Sequence, residues 1–98
     1  MTTMKTAERF PTRGDTVTLI TEERRQATSG QEIDPLVYEV DVLVTKVHPD
    51  ESLVIGTELT RFCYIKGYRE KGTKLPPNNP YGNPKSNGYM IGIWRCVH

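Results

Sequence analysis

Between Leu36 and Val47 the chain alternates. Leu36, Tyr38, Val40, Val42 and Val44 recur at every second position, while Glu39, Asp41 and Thr45 take positions between them. Side chains of an extended strand point to opposite faces in turn, so this period of two predicts a strand with one buried face. Val47 falls out of step with the series, which places a bulge or the strand's end near Thr45–Lys46. His48-Pro49-Asp50-Glu51-Ser52 then supplies turn chemistry, because proline presets the φ that position i+1 of a type I turn requires. Leu53-Val54-Ile55 resumes the apolar pattern, and Gly56 beside it marks a bulge or the close approach of another backbone. Residues 36–47 and 53–59 are therefore predicted to pair as an antiparallel hairpin.

Upstream, Gly14-Asp15 is a turn signal, and Thr16 to Thr21 is rich in β-branched residues with Val17 and Leu19 on one face. This is the expected first strand. Residues 1–13 show no periodicity and read as a flexible N-terminal arm. Residues 22–35 are polar, contain Ser29-Gly30 and Asp34-Pro35, and offer no apolar stripe to hold a helix. They are predicted as a loop with at most one helical turn over 22–27.

Downstream, Thr60–Tyr68 reads as a separate strand, with Phe62 and Tyr64 on one side and Cys63 and Ile65 on the other. Continued alternation would set Lys66 and Tyr68 beside Tyr64. Residues 69–88 hold Pro76, Pro77, Pro80 and Pro84 with Gly72, Gly82 and Gly88, and Leu75 is their one aliphatic side chain. A loop of this length in a compact domain is usually functional or disordered. Tyr89–Val97 is apolar on both parities, the pattern of a strand in a sheet centre or barrel wall. Val40, Val42, Leu53, Ile55, Ile91 and Ile93 are the expected core.

The chain's 98 residues suit one domain and are too few for a doubly wound nucleotide fold. Five strands without a helix of consequence predict an all-β fold, or a β-dominated one with one short helix. The economical form is a small five- to six-stranded antiparallel barrel, SH3-like or OB-like, over 14–98, since closure removes exposed edges. Gly14-Asp15-Thr16-Val17-Thr18-Leu19 followed by a valine-rich hairpin resembles the general style of such barrels over 14–59. That likeness is architectural and implies no function.

Hydrophobic residues are 36% of the chain and no apolar run approaches a membrane span. MTTMKTAERF has no apolar core of a secretory leader, so a cytoplasmic protein is expected, with Cys63 and Cys96 as reduced thiols. Two cysteines are too few for a disulfide framework, although strands carrying them could be neighbours and bridge on oxidation in air. Cys63, Cys96, His48 and His98 are the chain's thiol and imidazole ligands, the types zinc favours, and no C-x₂₋₄-C pair occurs among them, so no metal is expected. Cys63 and His48 could make a nucleophile and base arithmetically, but a thiol in an apolar strand is inert. No phosphate loop or hydrolase motif appears, and neither catalysis nor a cofactor is expected.

The net charge of +1 conceals a division. Residues 1–60 hold six basic and eleven acidic side chains; residues 61–98 hold seven basic and one acidic. Six of the aromatic residues also lie in the second part, among them Tyr64, Tyr68 and Tyr81. The expected contact surface is accordingly Arg61, Tyr64, Lys66, Tyr68, Arg69, Lys71, Lys74 and Tyr81. A non-enzymatic binding module is the leading expectation, acting through contact with a protein partner or through self-association, with the charge division orienting the encounter. Single-stranded nucleic acid, RNA or DNA, is the alternative, because cations neutralise phosphates while aromatic faces stack on unpaired bases. The two charge sets could equally offset one another inside one fold. Short domains with long polar loops are common among phage and mobile-element accessory proteins, an association and not a physical argument.

Overall fold

A computed structural model describes residues 9–78 and 88–97. Three long strands carry them: β1 (Thr16–Gln26), β2 (Glu32–His48) and β3 (Leu53–Ile65). Three short strands complete the sheet: β4 (Thr73–Leu75), β5 (Gly88–Met90) and β6 (Arg95–Val97). The order is β4-β3-β2-β1-β6, all neighbours antiparallel, and β5 pairs with the same edge of β3 as β4 does, at the opposite end.

The hairpin of β2 and β3 forms as the alternation predicts, from Leu36↔Ile65 to His48↔Leu53. Pro49–Glu51 makes a single 3₁₀ turn, and Ser52 closes it in the left-handed region at φ 51°. The predicted bulge is present: Thr45 is the extra residue between Val44↔Gly56 and Lys46↔Ile55. Gly56 is indeed a close approach, since a Cβ there would run into the Leu43 carbonyl oxygen and the Val42 side chain.

Four expectations need correction. Residues 22–35 are not a loop, because β1 runs to Gln26, β2 begins at Glu32, and only Ala27–Gln31 turns. Their polar side chains hid the strand signal; the hydrogen-bonded ladder extends outward from the apolar part without needing a buried face. Residues 53–59 and 60–65 are one strand, with Leu59 bulged between Val42↔Glu58 and Asp41↔Thr60. The polar stretch after residue 68 contains a 3₁₀ turn at Arg69–Lys71 and β4 before residues 79–87, which fall outside the described set. Tyr89–Val97 is not one central strand but two short edge strands separated by a turn in which Gly92 has φ 125°.

Partners across a ladder share a face, so the sheet has a core face and an outer face. Val17, Leu19, Val40, Val42, Val44, Val54 and Tyr89 are buried together on the former. The segment from β5 to β6 covers this core by passing from the free edge of β3 to the free edge of β1, with the Trp94 ring edge-on to Tyr89 at 5.2 Å. Phe10 packs against the same cluster and Pro11 is buried. Leu53, Ile55 and Ile91 are half-buried, whereas Ile93 is 67% exposed, contrary to expectation, because it sits in the turn of the cover. The architecture is thus mostly antiparallel β-sheet, and its path is open: no ladder joins β6 to β4 or β5 among the described residues, so the expected barrel closure is not shown.

Candidate functional site

The eight residues singled out from the sequence do not form one surface. Arg61 lies on the core face, opposite Val40, with its side chain 13% exposed. It forms a bidentate pair with Glu58, Nε to Oε1 at 3.1 Å and Nη2 to Oε2 at 2.7 Å. Tyr89 Oη donates to the same carboxylate, and the Asn78 N–H donates to Oε1 at 2.9 Å. Burial pushes the Glu58 carboxyl upward, but these donors together outweigh it and hold its pKa below the ordinary value. Arg61 is therefore committed inside the fold.

Tyr64, Arg69 and Lys74 meet on the outer face. Tyr64 Oη donates to Glu39 Oε2 at 2.7 Å, and Arg69 binds both oxygens of Glu39 at 3.0 Å. The guanidinium lies over Phe62 and Tyr64, 5.5 and 6.0 Å from the ring centroids. The Arg69 hydrogen bond, aided by Tyr64 and opposed by burial, lowers the Glu39 pKa. Asp41 nearby accepts Thr18 Oγ1 at 2.7 Å and Thr60 Oγ1 at 2.8 Å. Thr18, Glu39, Asp41, Thr60, Arg61, Phe62, Arg69 and Lys74 line an open hollow of about 550 Å³. It is polar, carries two carboxylates, and its aromatic faces are occupied by Arg69.

The aromatic platform of Tyr64, Lys66 and Tyr68 does not form. β3 ends at Ile65, Gly67 turns the chain at φ 91°, and the Tyr68 N–H returns to the Ile65 carbonyl at 2.8 Å. Lys66 instead pairs with Glu22 at 3.3 Å. Arg61, Lys66 and Arg69 thus each meet an acidic side chain within the fold, and all three of these come from the acidic first part of the chain. Among the described residues, Lys71 and Lys74 have no carboxylate partner. Tyr81 lies outside the described residues.

Tyr68 and Lys71 belong to a third place. With Ile65 they line a small hollow of about 240 Å³, Lys71 Nζ lying 5.7 Å from the Tyr68 ring centroid. Ile65 is 42% and Tyr68 48% exposed. Ile65 shares a face with Leu36, and Tyr38 with Cys63, and this is the core face, two rows beyond the buried Val40. The cover from β5 to β6 does not reach these rows: Leu36, Tyr38 and Cys63 are half-buried, and exposed Ile93 stands at their margin, its carbonyl accepting Thr21 Oγ1 at 2.8 Å. Burial and the neighbouring Glu23 carboxylate raise the Tyr38 pKa, so its hydroxyl stays protonated. The result is an apolar strip of Leu36, Tyr38, Cys63, Ile65 and Tyr68. The alternation places Leu36 and Tyr38 on the buried face of the strand, although not in the expected core. Their unbroken alternation with Val40 carries no mark of where the cover stops.

The cysteines occupy different strands, Cys63 in β3 and Cys96 in β6, with β2 and β1 between them. His48 and Cys63 stand at opposite ends of the β2–β3 hairpin, too far apart to act as base and nucleophile. No group of three or more metal-ligating side chains occurs among the described residues, and no helix there is long and apolar enough to cross a membrane. Comparison with protein-family models, curated proteins and solved structures finds no match.

Proposed function

We propose that this chain is a non-catalytic binding module whose contact surface is the uncovered end of the core face: Leu36, Tyr38, Cys63, Ile65 and Tyr68. The observation that carries the reading is that an apolar row continuous with the buried core emerges from beneath its cover into solvent. Exposed apolar side chains that adjoin one another mark contact sites far better than scattered ones do. Aromatic residues flanked by a charged rim, here Tyr38 and Tyr68 with Glu23 and Lys71, match the composition of protein interfaces.

A protein partner is favoured over single-stranded nucleic acid for one reason. The features that suggested phosphate and base recognition, clustered cations and aromatic faces, are largely used within the fold by Glu58, Glu22 and Glu39. The outer face retains Lys74 beside the Arg69-capped rings and is the surface that a nucleic-acid role would use.

Two variants separate these surfaces. Ile65→Glu with Tyr68→Ala disrupts the strip, and Arg69→Glu with Lys74→Glu disrupts the outer face. Both are checked for wild-type circular dichroism. Polypeptides retained from a cell extract on immobilised wild type should be lost with the first pair and kept with the second. A labelled single-stranded oligonucleotide should show no anisotropy change that either pair alters. Oligonucleotide binding that falls steeply with salt and vanishes in the second pair alone would replace this reading.

A further inference from the structure

We infer that the occupant of the apolar strip is a second copy of the chain, packed face to face about a twofold axis parallel to the strands; this rests on the strip being the contact surface. The argument is one of self-complementarity. The row that crosses the strip runs Glu23 on β1, Leu36 on β2 and Ile65 on β3, with Lys71 beside Ile65. An acid therefore stands on one margin and a base on the other, at the same height along the strands.

Rotation by half a turn about an axis along β2 exchanges the two margins and preserves that height. Glu23 of each copy then faces Lys71 of the other, and both pairs form at once, as an isologous interface requires. Leu36 and Tyr38 lie near the axis and meet their own counterparts. On β3, Cys63 meets Thr21 of the other copy, with exposed Ile93 beside it, and Ile65 packs against the aliphatic stem of Glu23. An axis perpendicular to the strands would instead leave each margin against its own kind, setting acid toward acid.

The two charges are available for this. Among the described residues Lys71 has no ion pair, and its ammonium rests only near the Tyr68 ring. Glu23 is exposed, with Tyr38 as its neighbour. Nothing in the contact calls for a buried unpaired charge: the rim carries both charges, and the Arg61 guanidinium, 5.7 Å from the centroid of the Tyr38 ring near the axis, is already paired with Glu58.

The test is sedimentation equilibrium of the wild-type chain from about 1 µM to about 1 mM, a range that brackets weak to moderate association. The expected result is a mass of two chains at the upper end, falling to one on dilution. Glu23→Lys and Lys71→Glu should each weaken dimerisation about tenfold, because two attractive rim pairs become two repulsive ones. The combined swap, Glu23→Lys with Lys71→Glu, should restore the wild-type dissociation constant, and added salt should narrow all three differences.

A single-chain mass at every concentration overturns the inference, as does a swap that fails to restore association. Neither result by itself removes the contact surface. If Ile65→Glu with Tyr68→Ala still abolishes capture of other polypeptides while the wild type sediments as one chain, the strip binds a different partner. If that pair changes neither mass nor capture, the contact-surface reading fails with it.

Discussion

The pair of Glu58 and Arg61 is the most exacting place to test this account of the fold. Both side chains lie on the core face, the Glu58 side chain fully buried and that of Arg61 13% exposed. Truncation of Glu58 to alanine leaves the guanidinium without its bidentate partner and strips an acceptor from Tyr89 Oη and from the Asn78 N–H. Removing one member of a buried ion pair costs about 3–5 kcal/mol, chiefly because the remaining charge is stranded. Arg61 retains some contact with water and Asn78 is exposed, so the lower end applies, about 3 kcal/mol. In a domain of this size that corresponds to a fall in Tm of roughly 15 °C.

The companion variants fix the interpretation. Tyr89→Phe removes one hydrogen bond and should cost about 1 kcal/mol. Replacing both charges with apolar residues of similar length, Glu58→Met with Arg61→Met, should recover about half of the loss, because no stranded charge remains while Tyr89 Oη still lacks its acceptor. Urea denaturation of the four proteins measures all of this. A Glu58→Ala midpoint that differs from wild type by less than about 1 kcal/mol would refute the reasoning, as would a double variant less stable than the single one.

The same site sets an acid limb. The folded Glu58 pKa lies below its ordinary value, so the unfolded chain binds the proton more readily. The pair's contribution is complete above the ordinary carboxylate range, about pH 4.3, and is lost as pH falls through the depressed folded value. Glu39, lowered by Arg69, adds in the same direction; denaturant midpoints between neutral and acid pH should therefore decline, and Glu58→Gln should flatten that decline. Gly56→Ala places a methyl against the Leu43 carbonyl and the Val42 side chain and should cost about 1–3 kcal/mol in urea denaturation. Val42→Ala, at a fully buried position, should cost about 1–3 kcal/mol by lost burial and cavity formation. Cys63 and Cys96 lie three strand spacings apart, roughly 14 Å, so air oxidation should yield no intramolecular disulfide on non-reducing electrophoresis.

The parts of this fold that are legible in sequence are those where burial and strand period coincide. Val40, Val42 and Val44 announce their face, Val47 announces the slip at Thr45, and Pro49-Asp50 announces the turn. The outer reach of β1 and β2 gives no such sign. Glu22 to Gln26 and Glu32 to Asp34 are held by backbone ladders whose side chains bury little. The pairing of Glu58 with Arg61 is hidden for a different reason. Residues three apart on a regular strand point to opposite faces, and only the extra residue at Leu59 turns the two toward each other. The division of charge between the two parts of the chain was visible, but its use was not. Glu22 and Glu39 draw Lys66 and Arg69 into ion pairs, which depends on the register of three strands and on no local pattern.

The route of the cover bears on how quickly the molecule assembles. The ladders of β1 with β2 and of β2 with β3 zip outward from tight turns, so their contacts close small loops early. The cover returns across far longer separations, 31 residues for Tyr89 to Glu58 and 72 for Ile93 to Thr21. Loop-closure entropy sets such contacts late on the folding path. Substitutions within the three-strand meander should then slow folding, whereas those in Tyr89, Trp94 or Cys96 should leave the folding rate nearly unchanged and speed unfolding. The lifetime of the native state is on this view governed by a strap of ten residues, 88–97, that contributes little to the speed with which the sheet is made.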